Sequence, residues 1–208
     1  VTEATEGTLD FGICNAVLSM TNASGLLTVR GDFATASQLN HNGHLTFGTL
    51  ELHGDFAQRN PTGDPPPAYN FHTTENHRVR LAGSAPQKIS FTSPGGTSDF
   101  RTLEIATASA VSHLPSLNCQ ELRTNGHPLT AGLTIQHHNW VLAEDATVAG
   151  DLNLAGSVLD LNAHTLTVQG RVLHSGGQLV VGGGTLETTG DYRIQSVSGG
   201  GFSVSTGL

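Results

Sequence analysis

Apolar and polar residues alternate with period two in short runs along the chain. Leu27, Val29 and Phe33 interleave with Thr28 and Arg30, and Leu50 and Leu52 with Glu51 and His53. Leu159 and Leu161 flank Asp160 and Asn162, Leu166 and Val168 flank Thr167 and Gln169, and Leu179 and Val181 continue the series. Successive side chains of an extended chain point to opposite faces, so this pattern predicts short strands with one face in and one face out. Thr and Val dominate the runs, as a pleated surface prefers. Asn42-Gly43, Asn125-Gly126, Ser175-Gly176-Gly177 and Gly182-Gly183-Gly184 separate them and supply turns.

The runs recur. TVAGDL (147–152), TVQGRV (167–172) and ETTGDY (187–192) place Gly150, Gly170 and Gly190 at a spacing of 20, and 157–172 aligns with 177–192 without a gap. LTVRGDF (27–33) and LELHGDF (50–56) put Gly31 and Gly54 23 residues apart, with VRLAG (79–83) as a weaker copy. Such a repeat predicts an all-β fold, a parallel β-solenoid of roughly 20-residue coils, in which stacking of neighbours makes the core. An antiparallel β-sandwich is the alternative, but it gives no reason for an in-phase repeat. The expected organisation is one solenoid domain, 1–208. A Pro-rich loop at 59–68 interrupts it, because three consecutive prolines cannot donate to a ladder. A Gly-rich terminal segment at 196–208 closes it. Residues 106–120 admit a helical turn cut by Pro115, or a plain connection.

Charge narrows the function classes. Lys plus Arg is 9, Lys88 is the only lysine, Asp plus Glu is 17, and the net charge is −8. Nucleic-acid binding needs clustered cations and is not expected. No apolar run approaches the ~20 residues of a membrane span. The first residues carry no secretory leader, so a signal peptide is either absent or already removed. Gly at 26 residues and few charges argue against a helical protein, and ordered alternation argues against disorder. Cys14 and Cys119 lie in no CxxC pair, which excludes a zinc ribbon; two thiols or one disulfide both remain open.

The repeat turns are Gly31-Asp32, Gly54-Asp55, Gly150-Asp151, Gly170-Arg171 and Gly190-Asp191. Asp at such a turn caps backbone N–H groups. Stacked in phase, Asp151, Arg171 and Asp191 make a ladder whose Arg separates two like charges. The nonapeptide pattern that binds calcium in one solenoid type is absent. Among eleven histidines, His41 and His44 flank a turn and the adjacent His137 and His138 point to opposite faces of a strand; they read as exposed polar turn residues, with His164 and His174 approaching neighbouring coils as the alternative. Glu144 and Asp145 likewise diverge, and Lys88 and Arg101 fall in different repeats. Nucleophile, metal and phosphate-loop motifs are missing, so neither catalysis, a cofactor nor a metal is expected. Trp140, Tyr69 and Tyr192 are dispersed, as packing residues are.

LTVRGDFA (27–34), LELHGDFAQ (50–58), VRLAGSAPQKISF (79–91), FRTLEI (100–105), LTI (133–135) and the 20-residue copies follow one another in an order that resembles the Gly/Thr-rich repeat regions of bacterial secreted and cell-surface, adhesin-like proteins. The likeness runs from about residue 17 to 195. It implies a parallel solenoid, export, and an extracellular or cell-surface location, and it brings no catalytic residues. The expected role is structural: a surface stalk, an adhesin segment or a self-assembling fibre subunit. Each coil end is a row of unpaired backbone groups that invites another copy. Val1, Phe11, Phe202 and Val204 are the expected self-association residues, with other copies end to end, and surface glycans, as partners. A carbohydrate-binding or polysaccharide-degrading solenoid module is the alternative.

Overall fold

The alternating runs fold into short strands, and no helix forms among the described residues. The computed structural model describes residues 2–5, 9–11, 16–59, 69–92, 98–114, 117–130, 132–136, 139–195 and 202–205. The chain divides into two compact units, 1–119 and 120–208. Every strand pairing described in either unit is parallel, which excludes the antiparallel sandwich.

The first unit carries β1 (Thr2–Thr5), β2 (Leu9–Phe11), β3 (Leu26–Val29), β4 (Phe33–Thr35), β5 (Thr49–Leu52), β6 (Phe56–Gln58), β7 (Arg78–Leu81), β8 (Gln87–Phe91), β9 (Phe100–Ile105) and β10 (Val111–Leu114). Odd strands stack as β1-β3-β5-β7-β9 and even strands as β2-β4-β6-β8-β10. Bridges Met20–Leu45–Thr73 and His72–Asp99 add a third, sparser row. This is a β-solenoid, with each coil delivering one strand to each sheet. The stretch 106–120, for which the sequence admitted a helical turn, holds β10.

Coil length in this unit is uneven. Leu26 pairs with Thr49, 23 residues on; Glu51 pairs with Arg80, 29 on; and Asp55 bonds Lys88, 33 on. This unit encloses bulky side chains. Leu50, Val79 and Leu103 form one buried column, and Leu52, Leu81 and Ile105 another. Beside them Phe33, Phe56, Phe71, Phe91 and Phe100 are all buried. Phe33 stacks on Phe56 with centroids 5.7 Å apart and planes 7° apart. Phe71 and Phe100 meet Phe56 edge-on at 4.9 and 4.7 Å. Burying each ring is worth about 1.5–3 kcal/mol, and such pairs add about 0.5–1.5 kcal/mol.

Corners of the longer coils also bury amides, each satisfied. Asn70 Oδ1 accepts from Gln58 Nε2 at 2.9 Å and from Ser98 Oγ at 2.8 Å, and Asn118 Nδ2 donates to the Ser98 carbonyl at 3.0 Å. Gln87 holds the Leu52 carbonyl at 3.1 Å and takes the Gly83 N–H at 2.8 Å. Unsatisfied, each such group would cost about 1–3 kcal/mol.

The second unit carries β11 (Cys119–Arg123, beginning one residue earlier), β12 (Leu133–Ile135), β13 (Trp140–Leu142), β14 (Ala146–Val148), β15 (Leu152–Asp160), β16 (Thr165–Val168), β17 (Val172–Val180), β18 (Thr185–Thr188), β19 (Tyr192–Ile194) and β20 (Phe202–Ser205). One sheet runs β11-β13-β15-β17-β19, with β12 on β15 and β20 on β17; a second is β14-β16-β18. Coil spacing is regular: Leu152, Val172 and Tyr192 share one column, and Ala146, Leu166 and Leu186 another, each step being 20 residues. β15 and β17 turn a corner within one strand, with the register slipping between Leu154 and Val158. The core here is aliphatic, with Leu142, Leu152, Leu154, Leu159, Leu161, Leu166 and Val168 around Trp140.

Candidate functional site

The repeat turns form the coil edges. Gly54 donates to the Gly31 carbonyl at 3.0 Å. A Cβ on Gly54 would stand 2.5 Å from the Gly31 carbonyl carbon, and one on Gly170 would stand 2.7 Å from the Gly150 oxygen. Only glycine lets these backbones stack. The following carboxylate then reaches up one coil: Asp32 Oδ1 accepts the Asp55 N–H at 2.8 Å, Asp55 Oδ1 the Lys88 N–H at 2.9 Å, and Asp151 Oδ1 the Arg171 N–H at 2.8 Å. Arg171 Nη2 also holds Asp151 Oδ2 at 2.7 Å. Its side-chain bonds, then its backbone N–H, hold the Asp151 carboxyl below the usual range, and Asp151 in turn raises Arg171. Asp191 turns instead to Arg193, at 2.8 Å. These residues hold the edge of the solenoid together.

A second charged arrangement lies on the outer face of β5, β7 and β9, and the sequence reading did not find it. Register places Glu51, Arg80 and Glu104 side by side. Arg80 Nη1 bonds Glu51 Oε2 at 2.7 Å and its Nε lies 3.3 Å from Glu104 Oε1, while Arg78 Nη1 lies 2.8 Å from Glu104 Oε2. The band borders a hollow of about 380 Å³ whose other wall includes Ser24, Leu26 and Thr49. The signal was present as opposite charges at matching phase, but inserted residues hid the phase.

The third row of the first unit gathers histidines. His72 Nδ1 bonds the carboxylate of fully buried Asp99, and the Tyr69 ring stands 4.9 Å from the imidazole. Tyr69 has φ = 64°, a left-handed conformation uncommon for a bulky residue. Asp99 fixes the His72 ring. The neighbouring Ser98 hydroxyl donates to Asn70 rather than to His72, so the three do not form a Ser-His-Asp relay. His41 is buried; its Nε2 accepts the Leu18 N–H at 3.1 Å, and its own N–H reaches the Tyr69 carbonyl at 2.8 Å. Burial, then His44, lowers its pKa against the pull of the Asn70 and Leu39 carbonyls. His77 is fully buried with no hydrogen-bond partner on either ring nitrogen, and burial lowers its pKa to about 4.

In the second unit, His174 Nδ1 meets the Tyr192 hydroxyl at 2.9 Å and His164 Nδ1 lies 3.7 Å from Asp145 Oδ1, each on an adjacent coil. Glu144 and Asp145 serve opposite neighbours: Glu144 Oε1 accepts from Thr124 and the Asn125 N–H, and Asp145 Oδ1 accepts the Thr165 N–H at 2.7 Å. Lys88 and Arg101 sit on β8 and β9. Trp140 is a core residue and Cys119 is buried. Val1, Cys14, His137 and His138 lie outside the described residues, as do 60–68 and most of 196–208. Phe11 lies opposite Thr35, Phe202 opposite Gly177 and Val204 opposite Leu179. Among the described residues no three His, Cys, Asp or Glu side chains converge as metal ligands.

The last coil differs from those before it. β16 alternates half-buried and buried positions, whereas β18 alternates exposed and half-buried and β19 is exposed throughout. Tyr192 and Ile194 continue the columns of buried Val172 and His174, yet they are 37% and 50% exposed. The fold defines the class, a parallel β-solenoid, and its last described coil carries half-exposed apolar side chains at Tyr192 and Ile194. No protein-family model, no curated protein and no solved structure matches this chain.

Proposed function

We propose that this chain is a structural interaction protein: an exported solenoid that serves at the cell surface as a stalk, an adhesin segment or a fibre subunit, joined by pairing of coil edges between copies. The carrying observation is the last coil, where Tyr192 and Ile194 occupy core columns yet are exposed. A parallel ladder edge offers backbone donors and acceptors at fixed spacing. The exposed apolar side chains of Tyr192 and Ile194 add a hydrophobic reason to cover that edge. The partner offering a matching ladder is another copy, through the β1 and β2 edge.

Electron microscopy and light scattering over a concentration series test the reading. Filaments one molecule wide are expected for the wild type, and Ile194→Asp should abolish them without unfolding the chain. Single particles at every concentration would sink it. The hollow beside Glu51, Arg80 and Glu104 favours a second reading, glycan binding, because it presents hydrogen-bond donors and acceptors together. Glycan-array binding lost in Arg80→Ala would support that reading; no binding to any glycan would remove it.

A further inference from the structure

The first unit buries two imidazoles where no counter-charge compensates them, and both belong to the third row of its coils. His41 ties three successive coils together: Leu18 donates to its ring, and its backbone donates to Tyr69. His77 closes the same row one coil later, where Thr74 donates to the Leu45 carbonyl and Asn76 to the Thr46 carbonyl. We propose that this row is an acid-opened latch: protonation of His41 and His77 undocks the segments 39–48 and 69–78 and uncovers the Phe71 side of the phenylalanine cluster, while the second unit stays closed.

No carboxylate compensates the added protons; at His41 the Asn70 and Leu39 carbonyls offset burial only in part, and the net shift is downward. Around His41, the charged neighbour is His44, which is of like sign when protonated, and the ring nitrogen that would take the proton is the one that now accepts from Leu18. Around His77, Glu75 on its own segment is exposed and Arg78 is engaged with Glu104. The coil before places Gly48 opposite His77, flanked by the non-ionisable Phe47 and Thr49. The coil after places Arg101 there, again a cation, and Asp99 on that coil is engaged by His72. A group whose pKa is depressed by folding favours the folded state above its unfolded pKa when the neutral form is the one buried. Stability is therefore full above about 6.5 and falls as pH drops toward about 4. The second unit has a different arrangement: its buried His174 is bonded to Tyr192.

Hydrogen exchange of the full chain, corrected for intrinsic rates, reads both units in one sample. Between about pH 7 and pH 5 the amides of 39–48 and 69–78 are expected to open roughly ten- to thirtyfold more often, as linkage over this window requires. Those of β15 and β17 should not change. His77→Leu should remove most of the acceleration, and His41→Gln, which keeps an acceptor for Leu18, should remove part. Equal acceleration in both variants and the wild type overturns the latch, as does earlier opening of the second unit. Should His77→Leu fail to fold, an NMR titration of wild-type His77 decides: a midpoint well below 6 supports the latch, and one near 6.5 overturns it.

Discussion

Residues 120–208 and 1–119 build the same ladder in different ways. In the second unit the steps between β14 and β19 are 20 residues apart from the slip at Ala155, so columns such as Leu152–Val172 and Val148–Val168 repeat apolar residues. Its turns stack Gly150, Gly170 and Gly190, and its core is mainly aliphatic. In the first unit the steps are 23 or 24 residues except across the 59–68 insertion, where they are 29 and 33. This unit buries five phenylalanines, a chain of amides and two uncompensated histidines. Regular coils stabilise by repetition, and enlarged coils stabilise by individually fitted side chains. Damage should therefore stay local in the first unit and propagate along columns in the second.

The largest expected effect is in the phenylalanine cluster. Phe56→Ala should cost about 3–5 kcal/mol, read by denaturant melts. Hydrogen exchange should rise within 1–119, and an equal rise in β15 and β17 would erase the contrast between units. Acidification comes next. Between pH about 6.5 and about 4 the first unit should lose on the order of 2–3 kcal/mol through His77, since its neutral form is the one buried; melts of wild type and His77→Leu across this window measure it. Gly170→Ala should cost about 1–3 kcal/mol by overpacking, because the new Cβ meets the Gly150 backbone. Gly126→Ala, with φ = 76° but nothing within 4 Å, should cost less, about 1 kcal/mol. If the two cost the same in thermal melts, backbone conformation rather than stacking controls the edge.

Smaller still is Asp55→Ala, which removes the acceptor for the Lys88 N–H and should cost about 1 kcal/mol. Asp55→Asn keeps an acceptor oxygen and should recover most of it in the same melts. Arg171→Ala should leave the fold intact and move the Asp151 carboxyl pKa up toward its ordinary range, seen by NMR titration, because Arg171 is the cause of its depression. An unchanged Asp151 would show that the ion pair does not persist in solution.

Much of this was legible in the residues. Alternation at Leu50–Leu52 and Leu166–Val168 places those side chains inward, and the spacing of Gly150, Gly170 and Gly190 gives the coil length of the second unit. The phenylalanine cluster was not legible, because Phe71 and Phe100 belong to no repeat copy and meet Phe56 only after coils of unequal length close. The band of Glu51, Arg80 and Glu104 was hidden for the same reason, as was Asp99 beneath His72.

By itself the sequence determined short strands, a parallel stack and glycine at the edges, because period-two burial and backbone sterics act within one coil and its neighbour. Only the tertiary structure decided which residues of the enlarged coils share a column. Register across an insertion follows from the summed packing of every column at once, and no local stretch carries that sum.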